Sequence, residues 1–400
     1  MNAKDYLTYL FPKTLQYRAS RFKLLKPGNP ITLTYSVTAA CQSQCKTCHI
    51  GLKYKQDPTS KEKDLKVEEL EKIFITLGHV YFFNISGGEP FLRDDLPKII
   101  ELACRYLKPR IIHVSTNAIS SERIRDLTIQ CLEIINESYD SSIPFTLKPS
   151  VDGVGDVHDE IRGVRDNFKQ LEKTLSYLKD IGKEYSNLHI ELGTIISNFN
   201  IDHLSEIEDY VHSLGIESYR HEIAEQRTEF FNLNDPITPN ADTYERLIRG
   251  FVRKIRETVI NKKRFTKITE SFRLVYYDLA VKILREERQV IPCYGGISNA
   301  HINYDGEVWP CCVLGYKKPL GFLREQNYDF QKVWHSDRAN VVRKYIKDRN
   351  CACVLANQAY SNILHSPTYL FKTLQNFLRF HYRQGGKITS GLIGTTKNIT

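Results

Sequence analysis

Apolar residues in the first half of the chain recur in two alternating rhythms. Helical spacing marks Val67–Leu77, where Leu70, Ile73, Phe74 and Leu77 share one face. Short apolar runs predict strands over 31–37 and 80–85. The alternation continues as helix 96–107, strand 110–115, helix 121–136, strand 145–151 and helix 168–181. Strand 189–196, helix 203–214 and strand 217–222 complete it. Six strands with helices between them predict parallel βαβ units, an α/β fold, and a six-unit partial barrel fits the count. Beyond it, 242–287 reads as two charged, tyrosine-bearing helices. A hairpin follows, 300–304 and 307–309 around the turn Asp305-Gly306, then a single helix over 330–349. Cys104 and Cys131 lie on apolar helical faces and read as small buried hydrophobes.

Composition narrows the class. The 400 residues suffice for one large domain and a smaller one, and 26% charged with 41% apolar residues is ordinary for a globular protein. No uncharged apolar run is long enough to span a bilayer, and Lys4 and Asp5 precede any apolar stretch, so no signal peptide is expected. Ten cysteines without a secretion signal predict a reducing compartment, hence the cytoplasm. The net charge of +9 gathers at the ends. Residues 1–30 carry six basic residues against Asp5, and 361–400 carry Lys372, Arg379, Arg383, Lys387 and Lys397 with no acid.

Both ends are also amphipathic. Tyr6, Leu7, Tyr9, Leu10 and Phe11 open the first, and Ser366-Pro367 starts a helix whose Leu370, Phe371, Leu374, Phe377, Leu378 and His381 share a face. Basic amphipathic helices with aromatics suit an anionic membrane surface; the alternative is a helix packed on the barrel with its basic face in water. No nucleic-acid recognition motif is present, and no nucleic acid is expected as partner.

The chemistry begins after the first strand, in Cys41-Gln-Ser-Gln-Cys45-Lys-Thr-Cys48. Such a loop can hold three irons of a cubane cluster by thiolate and leave the fourth open. Zinc sites favour paired Cys-x-x-Cys knuckles, and a disulfide would strand one cysteine, so iron–sulfur ligation fits better. Forty residues on, 81–86 reads as a buried strand ending in Gly87-Gly88-Glu89-Pro90. The strand 110–115 leads into Thr116-Asn117. The strand 145–151 leads into Ser150-Val151-Asp152-Gly153 and then His158-Asp159-Glu160-Ile161-Arg162-Gly163.

In this loop and the strand ends after it, the chain resembles the radical S-adenosylmethionine (radical SAM) enzymes over roughly 31–222. The resemblance implies a partial (β/α)6 TIM-like barrel and a 4Fe–4S cluster on Cys41, Cys45 and Cys48. It implies S-adenosylmethionine chelating the open iron and, after one-electron reduction by flavodoxin or ferredoxin, a 5′-deoxyadenosyl radical that abstracts hydrogen. It places Gly87, Gly88 and Glu89 at the methionine amino group, Ser150 at the ribose, and Arg162 on the carboxylate, which a guanidinium meets bidentately. The plain alternative for Arg162 is a surface ion pair with Asp159 or Asp166, and for Asp152-Gly153 a simple turn. The family often carries an aromatic residue before the third cysteine, against the adenine. Here Thr47 stands there, with His49 or Ile50 to compensate. Asn84, His113 and Thr116 sit at strand ends that would line the substrate pocket, and no catalytic residue is assigned.

Five further cysteines crowd the C-terminal third: Cys293, Cys311, Cys312, Cys351 and Cys353. The hairpin brings Cys293 and Cys311 together at its base. This stretch resembles the cut-down auxiliary-cluster domain called twitch, a relative of the fuller SPASM domain. It implies one auxiliary 4Fe–4S cluster on Cys293, Cys311, Cys351 and Cys353, with Cys312 as the candidate to replace Cys311. A structural zinc site, or a cluster whose open iron binds substrate, are the alternatives. The expected organisation is a basic segment (1–30), the barrel (31–225), a helical linker (226–290), the auxiliary domain (291–360) and a basic helix with a tail (361–400).

The substrate is open. The basic ends favour a lipid or lipid-linked sugar at a membrane face. The alternatives are a ribosomally made peptide or a small molecule such as a sugar alcohol, and, in another class, a non-catalytic cluster-binding module. The auxiliary cluster would accept electrons or anchor substrate.

Overall fold

The computed structural model describes residues 6–216, 218–259 and 264–382. A π-helical turn, Tyr6–Leu10, leads into α1 (Phe11–Arg21), and β1 (Thr32–Ser36) follows. After the cysteine loop come α2 (Ile50–Gln56), α3 (Val67–Leu77) and β2 (Phe82–Ser86). Then follow α4 (Leu96–Leu102), β3 (Ile111–Thr116), α5 (Ser121–Ser138), β4 (Phe145–Pro149), α6 (Asp156–Arg162) and α7 (Asn167–Glu184). β5 (Leu188–Ile196), α8 (Leu204–Ser213) and β6 (Ser218–Ile223) end the alternation. Two long helices, α9 (Ala241–Thr258) and α10 (Arg264–Glu286), precede β7 (Asn299–Ile302), β8 (Glu307–Trp309) and β9 (Gly321–Phe322). The chain then forms α11 (Phe330–Trp334), α12 (Asp337–Lys347), α13 (Ala356–His365) and α14 (Pro367–Tyr382).

All nine strands belong to one sheet in the order β6-β5-β4-β3-β2-β1-β7-β8-β9. The first six run parallel, as the βαβ pattern predicts for a partial barrel. β7 then adds parallel to β1, Thr32 opposite Asn299, and β8 and β9 continue antiparallel. Barrel and hairpin therefore share a hydrogen-bonded ladder, which local periodicity does not disclose. Strand alternation sorts the side chains. Leu33, Tyr35, Phe83, Ile85, Ile112 and Val114 are buried against Leu70, Ile73, Phe74 and Leu77 of α3 and the neighbouring helices. The alternate positions, Thr34, Asn84, His113 and Lys148, line the inner cavity.

The single helix expected over 330–349 is two. Asp329 caps α11 by accepting from the Gln331 and Lys332 amides, and Ser336 caps α12 by accepting from the Ala339 amide at 3.1 Å. A serine that satisfies an orphan N–H competes with continuing the helix. The helix starting at 96 keeps its expected length but widens its hydrogen bonding, running on as a π-helical turn over Ala103–Leu107.

The terminal helices are built differently from each other. α1 buries Thr14 and Tyr17 and turns basic groups inward: Arg18 donates twice to the His365 carbonyl, and Arg21 to that of Cys293. α14 packs Thr373 and Phe380 inward, Phe380 beside Leu274 of α10, and leaves Phe371, Leu374 and Leu378 exposed. Lys4, Arg383, Lys387 and Lys397, and the side chains of Tyr6 and Leu7, lie outside the described residues. Among the described residues no helix is long and apolar enough to cross a membrane.

Candidate functional site

The loop after β1 is strapped from three sides by backbone hydrogen bonds. The Gly88 and Glu89 amides donate to the Thr38 and Ala40 carbonyls, at 2.9 and 2.8 Å. The Gln44 and Lys46 amides donate to the carbonyls of Arg162 and Ile161 in α6, and the His49 amide to that of Phe230. The chains approach so closely that glycine is required at several points. A Cβ on Gly51 would stand 1.7 Å from the Ser43 oxygen, and one on Gly88 2.0 Å from that of Ala40.

This strapping gathers Cys41, Cys45 and Cys48 on the wall of a cavity of about 260 Å³. Burial raises all three thiols, Cys41 to about 12, and Cys41 and Cys48 rise further beside Cys45. A metal cluster must displace their protons on binding. Among the described residues no three His, Cys, Asp or Glu side chains converge on a point suited to one ion. Cubane ligands bind separate irons and stand farther apart than the ligands of one ion.

Gly87, Gly88, Glu89, Ser150, Arg162 and Thr47 line the same cavity. Glu89 pins two strand ends together: it accepts from the Phe91 amide, the Thr116 hydroxyl (2.8 Å) and the Asn117 amide (2.7 Å). Burial lifts its carboxyl to about 7 against those bonds. Arg162 pairs with Asp152 at 3.1 Å and not with Asp159 or Asp166, which are taken by the Phe168 amide and Lys169. Asp152 is buried just after β4, whereas the other two are half-buried. The Arg162 Nε is buried without a partner beside the thiols, an orphaned donor that fits an anionic ligand such as the S-adenosylmethionine carboxylate. His49 is tied to Asp235, whereas Ile50 lines the cavity.

Asn84, His113 and Thr116 also meet in the cavity. Thr116 is held by Glu89. His113 Nδ1 bonds Asn84 Oδ1 at 2.7 Å, and burial lowers its pKa, so the ring is neutral. Sequence reasoning missed the charged wall beside them. Lys148 of β4 pairs with Glu222 of β6 at 2.7 Å, Arg220 with Glu191 at 3.0 Å, and Arg227 with Glu225 at 3.1 Å. The only signal was charge at every second position of a strand, Arg220 and Glu222, which puts both on one face without saying that this face turns inward.

Burial raises the Glu222 carboxyl, but Lys148 and Arg220 outweigh it and hold the group down at about 2, from 4.5. A folded-state pKa below the unfolded one stabilises above pH ~4.5 and fades as pH falls toward 2. Lys148→Met should therefore cost roughly 3 kcal/mol at pH 7, the low end for breaking a buried pair because the cavity admits water. The deficit should shrink below pH ~4, as protonation removes the unpaired carboxylate. Urea titrations at both pH values measure it, and equal deficits would contradict the assignment.

The second cysteine group meets that cavity through Cys311 and Cys312. Cys293, Cys351 and Cys353 line a small cavity behind the hairpin. Cys311 feels Cys293 and Cys351 after its own burial, whereas Cys312 turns away: Arg227 Nη1 stands 3.6 Å from its sulfur. Gln289 Nε2 and the Gly295 amide approach the Cys351 and Cys293 sulfurs, each at 3.4 Å, as donors that suit thiolate ligands. Cys104 and Cys131 are buried in the barrel core, as their helical faces imply.

Comparison with known proteins matches the two regions that carry these cysteines. The model of the radical SAM superfamily matches residues 35–211, and that of the SPASM iron–sulfur cluster-binding domain residues 293–354. The antilisterial bacteriocin subtilosin biosynthesis protein AlbA of Bacillus subtilis is 22% identical over 347 residues, 83% of this chain and 68% of AlbA. An AdoMet-dependent heme synthase of Oleidesulfovibrio alaskensis is also 22% identical, over 78% of this chain and 76% of its own. In fold, Streptococcus suis SuiB bound to its precursor peptide SuiA superposes with a TM-score of 0.56 at 15% identity, covering 89% of this chain and 76% of SuiB. The chain therefore belongs to the radical SAM superfamily, enzymes that work with a 4Fe–4S cluster and S-adenosylmethionine, and it carries an auxiliary-cluster domain of the SPASM kind.

Proposed function

We propose that the enzyme abstracts hydrogen from a peptide, with Cys41, Cys45 and Cys48 holding the S-adenosylmethionine cluster and Cys293, Cys311, Cys351 and Cys353 an auxiliary one. The observation that carries the reading is a single cavity lined by Cys41, Cys45 and Cys48, by Cys311 and Cys312, and by the ion-paired Lys148, Arg220 and Glu222. When bound, the cluster and S-adenosylmethionine supply the 5′-deoxyadenosyl radical, on delivery of an electron by a carrier such as flavodoxin or ferredoxin. The chain's own residues position and select. Gly87, Gly88 and Arg162 orient the cofactor, and the neutral His113 with Asn84 and Lys148–Glu222 offers hydrogen bonds to a polar substrate. A lipid chain laid on that wall would desolvate charges without compensation, whereas peptide groups can bond to them. AlbA acts in the making of a bacteriocin, and SuiB binds a precursor peptide in this fold. Co-expression with short open reading frames beside its gene, followed by intact-mass measurement, tests the reading. A mass change that depends on Cys41 supports it, and unchanged peptides in the presence of 5′-deoxyadenosine release count against it.

A second reading, a lipid-linked substrate at a membrane, rests on the outward Phe371, Leu374 and Leu378 of α14. Sedimentation with anionic vesicles at low and high salt, comparing wild type with Leu374→Glu, separates the two.

A further inference from the structure

Next to the auxiliary cysteines lies a surface that the chemistry above does not use. α1 ends in a left-handed Lys23 (φ 61°), whose amide and that of Leu24 close the helix on the Ser20 and Ala19 carbonyls. Phe22, Leu24 and Leu25 stand 66, 76 and 55% exposed there, together with exposed Lys23 and Lys26. Lys347 from the end of α12 holds its ammonium 5.3 Å from the Phe22 ring, and the exposed Arg349 lies within electrostatic reach of Arg21. The acid beside them, Asp348, is ion-paired with Lys344. The patch is apolar at its centre and basic around it.

Its position gives it meaning. Arg21, next to Phe22, donates to the Cys293 carbonyl at 2.5 Å and reaches the Lys347 carbonyl at 3.5 Å. Arg349 precedes Cys351, a partly exposed thiol, by two residues. A protein seated on Phe22 and Leu24 is thus one side chain away from the auxiliary site. The partner's class follows from complementarity: basic rim charges steer an acidic surface and set its orientation, and a small apolar centre suits a transient complex.

We infer that this patch docks an acidic one-electron carrier protein, which exchanges electrons with the enzyme at the auxiliary cysteines. One electron passes at each encounter, the carrier losing it and the auxiliary iron–sulfur group gaining it and handing it on to the S-adenosylmethionine cluster, with no bond made or broken in the transfer. The inference rests on the auxiliary ligands proposed above.

The test uses reconstituted holoenzyme and a bacterial flavodoxin. One variant combines Lys23→Glu, Lys26→Glu, Lys347→Glu and Arg349→Glu; a second carries glutamine at the same positions, in case charge reversal impairs folding. The flavodoxin on-rate at low salt should fall about tenfold or more in the first, within the range of electrostatic steering, and less in the second. Wild-type binding should weaken with salt, as screening demands, and variant binding should change little. Dithionite-driven 5′-deoxyadenosine release should be unchanged, while flavodoxin-driven release falls with binding. Equal flavodoxin binding by wild type and both variants would overturn the inference. So would a patch whose variants lose anionic-vesicle binding while keeping flavodoxin affinity, which would make it a membrane contact. A wild type that cleaves nothing with dithionite would instead defeat the proposed cluster sites, and the binding measurement stands apart from that.

Discussion

Replacing Cys41, Cys45 and Cys48 together by alanine is expected to abolish reductive cleavage of S-adenosylmethionine. The three thiols share one cavity and stand in each other's electrostatic field, and no other cysteine is placed to replace them on that loop. The loop should survive their loss, because its backbone bonds to Ile161, Arg162 and Phe230 involve no cysteine side chain. Loss of cleavage would then report loss of ligands and not of fold. The fall should be roughly 10³-fold or more, since enzymatic accelerations start near 10⁶. Anaerobic reconstitution with chromatography of 5′-deoxyadenosine measures it, and release at the wild-type rate would sink the assignment. The same variant should retain about four irons, the content of one cubane, in the auxiliary site.

The second large effect separates two adjacent residues. In that triple-alanine background, Cys311→Ser should lose most of the remaining iron and Cys312→Ser almost none. The reason is placement: after β8, Cys311 lies in the electrostatic field of Cys293 and Cys351, and Cys312 holds its sulfur 3.6 Å from Arg227 Nη1. A thiol that accepts from a guanidinium is stabilised where it is and gains little by turning to a cluster. Iron analysis decides it, and the reverse pattern would exchange their roles. Zinc in place of iron would return the site to the structural-metal alternative.

Much of this was legible in the chain. The cysteine loop, Gly87-Gly88-Glu89-Pro90, Thr116-Asn117 and Ser150 lie at strand ends, and parallel crossovers carry all such ends to one face. Their order along the sequence was enough to bring them together. Three features were not legible for definite reasons. Lys148, Glu191 and Glu222 look like solvent-facing charges until the sheet curves them inward into pairs between strands far apart in sequence. The break at Ser336 depends on one hydroxyl finding one amide, which helical periodicity does not record. Cys311 and Cys312 are indistinguishable by type, and only the local backbone assigns their directions.

The ladder between β1 and β7 bears on how the protein can be divided. Thr32 to Tyr35 present one edge to β2 and the other to Asn299 to Ile302. A barrel cut after Glu286 would leave that second edge bare, directly beneath the loop that bears Cys41. Bare parallel edges recruit strands from other chains. Expressed alone, the barrel should form insoluble or oligomeric material, because the C-terminal third is its missing stave as much as a container for a second metal group.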